Sequence, residues 1–317
     1  MLAITGATGK LGSKVTSRLA NLGRSQRLIV RDPGRAPQLP GAEVAQISSF
    51  GDRAAMKRAL AGVRKLFLVS ARDRMGVNQA AAMAGLPPPR YDRAQQQIAA
   101  VDAAMEAGVQ HIVYLSFLNA AEDATFILAR DHFHTEEHIR KLGMPFTFLR
   151  VSLYTDNVPL RVSDDGVIRA PAGEGRVAWV TRDDIADVIV AVLTGSGHER
   201  RAYDVTGPEA LTMAETAASL SSVTGREITY RAQNSREART EHTTTGMDKF
   251  EAERRTLTGR GLDEYEVEVW VTHYLQIAAG ELAAVSNIVP ELTGHRAQSL
   301  TEYLQNHPES YRHLLHS

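Results

Sequence analysis

The chain has 317 residues, 43% of them hydrophobic and 23% charged, which is enough to bury the core of one large or two closely joined domains. A formal net charge of −1 gives no electrostatic reason for binding nucleic acid or a membrane surface, and the absence of cysteine excludes disulfides, thiolate chemistry and cysteine-ligated zinc. No apolar run reaches the roughly 18 residues of a membrane span, and the N-terminal residues read as a first strand and not a signal peptide, so a cytoplasmic protein is expected.

The first strand, Met-Leu-Ala-Ile-Thr, runs straight into Gly6-Ala7-Thr8-Gly9-Lys10-Leu11-Gly12. In such a turn the first glycine permits the tight bend, the second lets the backbone approach a pyrophosphate, and the third lets the following helix pack closely on the strand. Exposed N–H groups at the helix start then meet phosphates. Three glycines alone also mark ordinary turns, but the context is that of a nucleotide-binding unit. Ser13 to Asn21 carries Val15 and Leu19 at helical spacing, with Leu22 following. The apolar run Arg27-Leu28-Ile29-Val30 then reads as a second, parallel strand, stopped by Arg31-Asp32-Pro33-Gly34-Arg35.

The tip of that second strand selects the cofactor. An acidic side chain there would accept from the adenosine ribose and repel a phosphate, whereas a guanidinium pairs with phosphate in two parallel bonds. Arg31 holds the position, with Arg35 and Lys10 adding cationic reach and Asp32 mixing the signal. The pattern favours NADP(H) over NAD(H). The plainer alternative is that Arg31 is a solvated turn residue.

Val44 to Ile47 reads as strand three, Arg53 to Ala61 as a helix, and Leu66-Phe67-Leu68-Val69-Ser70 as a strand buried on both faces. Residues 71–90, with Gly76, Gly85 and Pro87-Pro88-Pro89, predict a long loop beside the carboxyl ends of the strands, either a lid or a passive insertion. Ala94 to Ala107 is a helix, His111 to Ser116 strand five, Asp131 to Leu142 a helix, and Phe146 to Arg150 strand six. The alternation predicts an α/β fold, a doubly wound parallel sheet.

Beyond Arg150 the pattern changes. Asp164-Asp165-Gly166 suggests a hairpin turn, Ala170 to Gly175 a loop, and an aspartate in Asp183-Asp184 a cap for the helix running to Leu193. Tyr203 to Gly207 reads as a late strand, and helices are expected over Met213 to Thr224 and roughly Glu264 to Val285, with the polar stretch from Gln233 to Gly246 between them. The expected division is 1–153, with 176–205 returning to it, as a nucleotide-binding domain, and 154–175 with 206–317 as a smaller substrate lobe. Trp270 to Val285 could line an apolar pocket or present a partner-binding face.

The assembly of Thr5 to Gly12, Val30-Arg31-Asp32, Ile112 to Ser116, His132-Phe133-His134-Thr135-Glu136 and Thr147-Phe148-Leu149-Arg150 resembles the NmrA-like branch of the atypical short-chain dehydrogenase/reductases, in particular its NAD(P)H:quinone oxidoreductase type. Val180 to Ala186 and Tyr203 to Thr212 are similar to that family's second half, and the match is looser after about Leu211. The resemblance implies a Rossmann domain with a small C-terminal substrate lobe, binding NADPH. It places Ser49-Phe50 near the adenine, where relatives commonly carry an acidic residue, and Val69-Ser70-Ala71 along the ribose and diphosphate. Val151-Ser152-Leu153-Tyr154 would approach the nicotinamide, with Tyr154 either at the site or in ordinary packing.

The same likeness puts Ser116 at the superfamily's catalytic serine position and His132 where a related branch carries an acid/base lysine. Imidazole titrates near neutral pH and can hold a ribose or carboxamide while moving a proton; alternatively His132 only anchors cofactor or satisfies a core polar group. The tyrosine–lysine pair of the wider superfamily is missing, because none of the nine tyrosines has lysine four positions later. His134 and His138 share a helix face but lack the glutamate directly after the first histidine that a zinc protease uses, so no metal site is expected.

Two functions follow from the resemblance. One is an NADPH-dependent reductase passing hydride to a quinone or other conjugated carbonyl, with His132, Ser116 and Tyr154 as candidate catalytic residues. The other is a non-catalytic NAD(P)-binding redox sensor that reports to a protein partner. The expected ligands are thus small molecules, with no direct nucleic-acid or membrane contact, and a homodimer is left open.

Overall fold

The computed structural model describes residues 1–70, 92–244 and 264–315. The expected loop over 71–90, and Ala71 with it, lies outside the described residues. The chain divides into two compact units: Met1–Glu122, Asp131–Val151 and Ile185–Asp204 form the first, and Asp123–Arg130, Ser152–Asp184 and Val205–Ser317 the second.

The first unit is built on seven strands: β1 (Leu2–Thr5), β2 (Gln26–Val30), β3 (Ala42–Gln46), β4 (Lys65–Val69), β5 (His111–Phe117), β6 (Phe146–Val151) and, late in the chain, β9 (Arg201–Val205). Their spatial order is β3-β2-β1-β4-β5-β6-β9, and the pairs from β3 through β6 are parallel. Arg200 N donates to Phe146 O at the start of β6 and Ser152 N to Val205 O beyond its end, so β9 runs parallel too. The chain leaves β1 toward β2 and β3 on one side and resumes with β4 on the other. This reversal opens a crevice at the carboxyl ends of β1 and β4, the place where such sheets bind ligands.

Helices α1 (Lys10–Asn21), α2 (Arg53–Ala59), α3 (Asp92–Glu106), α4 (Ile127–Lys141) and α5 (Arg182–Thr194) connect these strands. One face of the sheet, with Ala3, Ile29, Leu66, Leu68, Ile112, Tyr114 and Phe148, packs in one cluster with Met56 of α2, Val101 of α3 and Ile139 of α4. On the opposite face Ile4, Leu28, Phe67 and Val113 are equally buried. Burial on both faces explains why these strands read as continuous apolar runs and not as alternating ones. The two edges differ, β3 and β9 being mostly exposed.

The second unit holds two small sheets. β7 (Val167–Ala170) pairs parallel with β11 (Thr229–Ala232), and β8 (Arg176–Val177) pairs antiparallel with β10 (Leu211–Thr212). Helix α6 (Met213–Thr224) opens with a capping box between Thr212 and Glu215, and Trp179 is buried with its indole N–H donating to Thr216 Oγ1 at 3.0 Å. Among the described residues it also holds helices α7 (Ser235–Thr244), α8 (Glu264–Ala278), α9 (Ile288–Thr293) and α10 (Leu300–Asn306). No helix among the described residues is long and apolar enough to cross a membrane.

Several expectations change. The first helix starts at Lys10, three residues before Ser13, so the last glycine of the turn is already helical. Asp164-Asp165-Gly166 does form a turn, with Gly166 at φ 81°, but it closes no hairpin, because β7 pairs with the distant β11. The cap of α5 is Thr181, whose hydroxyl accepts from Asp184 N at 3.0 Å; Asp183 and Asp184 stand inside the first turn, where their charge favours the helix dipole. The helix expected to reach Val285 ends at Ala278, since Gly280 adopts φ 76°, and the polar stretch after Gln233 contains α7.

His111, at the start of β5, shows how this sheet responds to acid. It is 3% exposed, and Nε2 donates at 2.8 Å to Thr147 Oγ1, whose own proton goes to the His198 carbonyl. Burial first, and the Lys65 ammonium second, push its pKa down from 6.5 to about 4. A folded-state pKa below the unfolded one means that the fold loses stability as pH falls from about 6.5 through 4, by on the order of 3 kcal/mol at the limit. His111→Gln keeps the donor to Thr147 and removes the titration. Thermal melts at pH 7 and pH 4.5 should therefore differ less for the variant than for the native chain.

Candidate functional site

Gly6 adopts φ 66°, and Gly9 N donates to Gly6 O at 2.9 Å, closing the turn between β1 and α1. The helix then comes so near that a Cβ on Gly12 would lie 2.0 Å from Gly6 O and 2.6 Å from its carbonyl carbon. Thr5 fastens the turn to the neighbouring strand, its hydroxyl donating to Phe67 O at 3.1 Å and accepting from Val69 N at 2.8 Å. Among the described residues no side chain caps α1, and a helix start of this kind is where anions bind. Thr8, Gly9 and Lys10 are exposed, while Leu11 and Gly12 are buried.

Arg31 follows β2 directly and is exposed, with its carbonyl accepting from Gln46 Nε2 at 3.1 Å. Asp32 turns away into its own 3-10 turn, where Oδ1 accepts from Gly34 N at 3.0 Å. After β3, Ser49 is half-buried, whereas the Phe50 ring belongs to the core cluster with Met56 and Val101. Val69 and Ser70, at the end of β4, are half-buried beside the glycine turn, and the Val69 side chain lies 3.3 Å from where a Gly6 Cβ would sit.

Around β5 and α4 the expected residues enter two polar clusters. Ser116 is buried and its hydroxyl donates to Glu136 Oε1 at 2.6 Å. Glu136, fully buried, also accepts from Arg140 at 2.9 Å and from Arg150 at 3.0 and 2.6 Å. The bond to Glu136 raises the Arg150 pKa against the opposing effect of burial. One helical turn earlier, His132 is buried with both ring nitrogens engaged: Nδ1 lies 2.8 Å from Tyr114 Oη and Nε2 lies 2.9 Å from Arg93 Nη2. Arg93 also donates to Ser70 Oγ at 2.8 Å and pairs with Asp131 at 3.5 Å. His138, by contrast, pairs with Asp102 at 2.7 Å, while His134 is exposed.

Ser152 and Tyr154 fall in the second unit, directly after β6. Ser152 Oγ is buried with no hydrogen-bond partner among the described residues, and neither has the nearby Thr155 Oγ1. Tyr154 is partly exposed, bridges to Val180 through its backbone, and lies under the Arg182 guanidinium at 4.4 Å. A buried hydroxyl without a partner among the described residues is a place where a polar ligand group would be accepted.

The NmrA-like family profile matches residues 1–241, about three quarters of the chain. The chain belongs to the NmrA-like family. Among its relatives, the (4-alkanoyl-5-oxo-2,5-dihydrofuran-3-yl)methyl phosphate reductase of Streptomyces griseus is 35% identical over 98% of this chain and 99% of its own length. Quinone oxidoreductase 2 of Escherichia coli is 33% identical over 95% of this chain and 96% of its own. The crystal structure of the Escherichia coli NADPH-dependent quinone oxidoreductase with NADPH superposes with a TM-score of 0.79, at 29% identity, covering 99% of both chains.

Within this NmrA-like chain the first unit brings together the glycine turn, Ser70 and His132. Arg93, Gln97, Tyr114 and Glu136 were not among the residues that sequence reasoning assigned to the site. A signal existed for Glu136, four residues after His132 on one helix face, and for its partner Arg150, a charge ending an otherwise apolar strand. Arg93 gave none, because it borders the segment read as loop.

The glycine contact predicts a graded response. Gly12→Ala drives a methyl into a backbone carbonyl and should cost about 3 kcal/mol, whereas Gly9→Ala, whose Cβ would meet Gly6 O at 3.3 Å in an exposed position, should cost less than about 1 kcal/mol. Urea melts of the two variants check the difference.

Proposed function

We propose that this protein is an NADPH-dependent reductase of small conjugated carbonyl compounds, quinones among them. The observation that carries the reading is the arrangement at the tips of β1 and β2. A glycine bend lies next to a helix start that no side chain among the described residues caps, and the exposed Arg31 is followed by Asp32, whose carboxylate is taken by Gly34 N. That set suits a diphosphate and, at Arg31, a further phosphate, in preference to bare ribose hydroxyls. Relatives matched over nearly their whole length, the quinone oxidoreductase 2 and the (4-alkanoyl-5-oxo-2,5-dihydrofuran-3-yl)methyl phosphate reductase among them, support the same chemistry.

In this reading residues 1–153 with 176–205 carry the cofactor, and 154–175 with 206–317 carry the substrate. The bend from Gly6 to Gly12, through backbone N–H groups other than that of Gly9, holds the diphosphate, Arg31 with Lys10 the extra phosphate, Ser49 the adenine edge, and Val69 and Ser70 the ribose side. Ser152 and Tyr154 are the residues that the family likeness assigns to the nicotinamide end, and Ser152 Oγ is buried without a partner among the described residues. NADPH, when bound, supplies the hydride. Ser116 holds Glu136, and His132 is fixed beside the cradle by its two neighbours. A quinone asks little of the protein beyond orientation, because hydride addition leaves an oxyanion that water can protonate, and this agrees with the missing tyrosine–lysine pair.

Mixing the purified chain with NADPH and a panel of quinones and conjugated lactones should give consumption of NADPH followed at the nicotinamide absorbance. Binding without consumption would instead favour a non-catalytic sensor. Arg31→Ala should weaken NADPH binding 10-fold or more, about 1.5–3 kcal/mol, and leave NADH binding nearly unchanged, as calorimetry can measure.

A further inference from the structure

His132 sits in a closed ring of hydrogen bonds whose directions are fixed by chemistry. A guanidinium has no acceptor, so Arg93 Nη2 donates to His132 Nε2, which must then be bare. The one proton of the uncharged imidazole is therefore on Nδ1, pointed at Tyr114 Oη. Tyr114 in turn donates to Gln97 Oε1, and Gln97 Nε2 donates back to the Arg93 carbonyl at 3.2 Å. The groups against the imidazole are Arg93 from α3 and the rings of Tyr114 and Phe117 from β5, and α4 itself carries Asp131 one residue before His132 and Glu136 four after it. The carboxylates do not counter the guanidinium at the ring, since Asp131 pairs with Arg93 and Glu136 is taken by Ser116, Arg140 and Arg150.

We propose that Arg93 is a positioning residue that locks His132 as the uncharged Nδ1–H imidazole and ties it to Ser70 beside the cofactor cradle, so that this histidine is an anchor and not the acid of the reaction. Burial and the adjacent guanidinium both hold the imidazole well below its ordinary pKa, in line with the geometry. Neither ring nitrogen can release a proton outward: Nε2 has none, and the proton on Nδ1 faces the interior. The proposal rests on the reductase reading for its consequence. When the hydride pair adds to the substrate and the nicotinamide nucleotide is oxidised, the charge left on the substrate oxygen is neutralised by a proton from water, and no bond to His132 forms or breaks.

The ring can be read without turnover. Long-range 1H–15N spectra of the full chain labelled with 15N-histidine, with His132 assigned by its loss in His132→Gln, should report a protonated Nδ1 and a bare Nε2 that persist from pH 8 to pH 5. In Arg93→Met the donor to Nε2 is gone, and the ring should move toward the Nε2–H form and begin to charge within that range. Arg93→Lys should restore the native pattern, and unchanged signals from the other histidines establish that the fold is kept. A protonated Nε2 in the native chain, or an Arg93→Met spectrum identical to it, overturns the proposal. A pH–rate limb between 5 and 8 that disappears in His132→Gln would do so as well. Failure to consume NADPH would remove the reductase reading and leave the tautomer result standing.

Discussion

Two backbone segments meet at Gly12 with no room for a methyl group, and the geometry of the first unit follows from that contact. Because the first helix rests on the Gly6 carbonyl, its open N-terminus is held at the mouth of the crevice between β1 and β4, and not a few ångströms above it. Thr5 transmits the same placement sideways, since one hydroxyl both donates to and accepts from the backbone of β4. Ser70, the residue after that strand, is thereby set next to the turn. A single close approach thus aligns the backbone donors of α1 with the side chains at the end of β4.

A buried carboxylate does the corresponding work on the far side of the sheet centre. Glu136 gathers donors from β5, from β6 and from its own helix, so the register of α4 against those strands is specified by hydrogen-bond geometry as well as by apolar packing. Removing one partner of such a cluster would strand charge in a low-dielectric interior, which is far more costly than loss of a surface pair. His132 lies one turn along the same helix and inherits that register.

Much of this was legible in the linear chain, and for physical reasons. Strands buried on both faces are continuous apolar runs, and the glycine bend occupies seven consecutive residues, so both are local patterns. The place of Arg31 at the strand tip was visible on the same ground, as the first residue past an apolar run, and the structure adds that it is exposed and that Asp32 is turned away. What escaped reading depends on partners far apart in sequence. The turn at Gly166 looked like a hairpin because turn chemistry is local, whereas the pairing of Ile168 with Tyr230 is not. Likewise nothing near Arg93 marks it as the partner of His132, and nothing near Ser116 discloses that its hydroxyl is consumed by Glu136. The boundary of α8 was misjudged because apolar content continues past the point where Gly280 reverses the backbone.

The ring around His132 has a property that its members do not have singly. Every bond in it runs one way, starting from a guanidinium that keeps its protons and returning to a backbone carbonyl of the same residue. Such a loop is an insulator and not a wire. Its branch from Arg93 to the half-buried Ser70 is a hydroxyl contact, so the network reaches toward the open side of the sheet without offering the imidazole there.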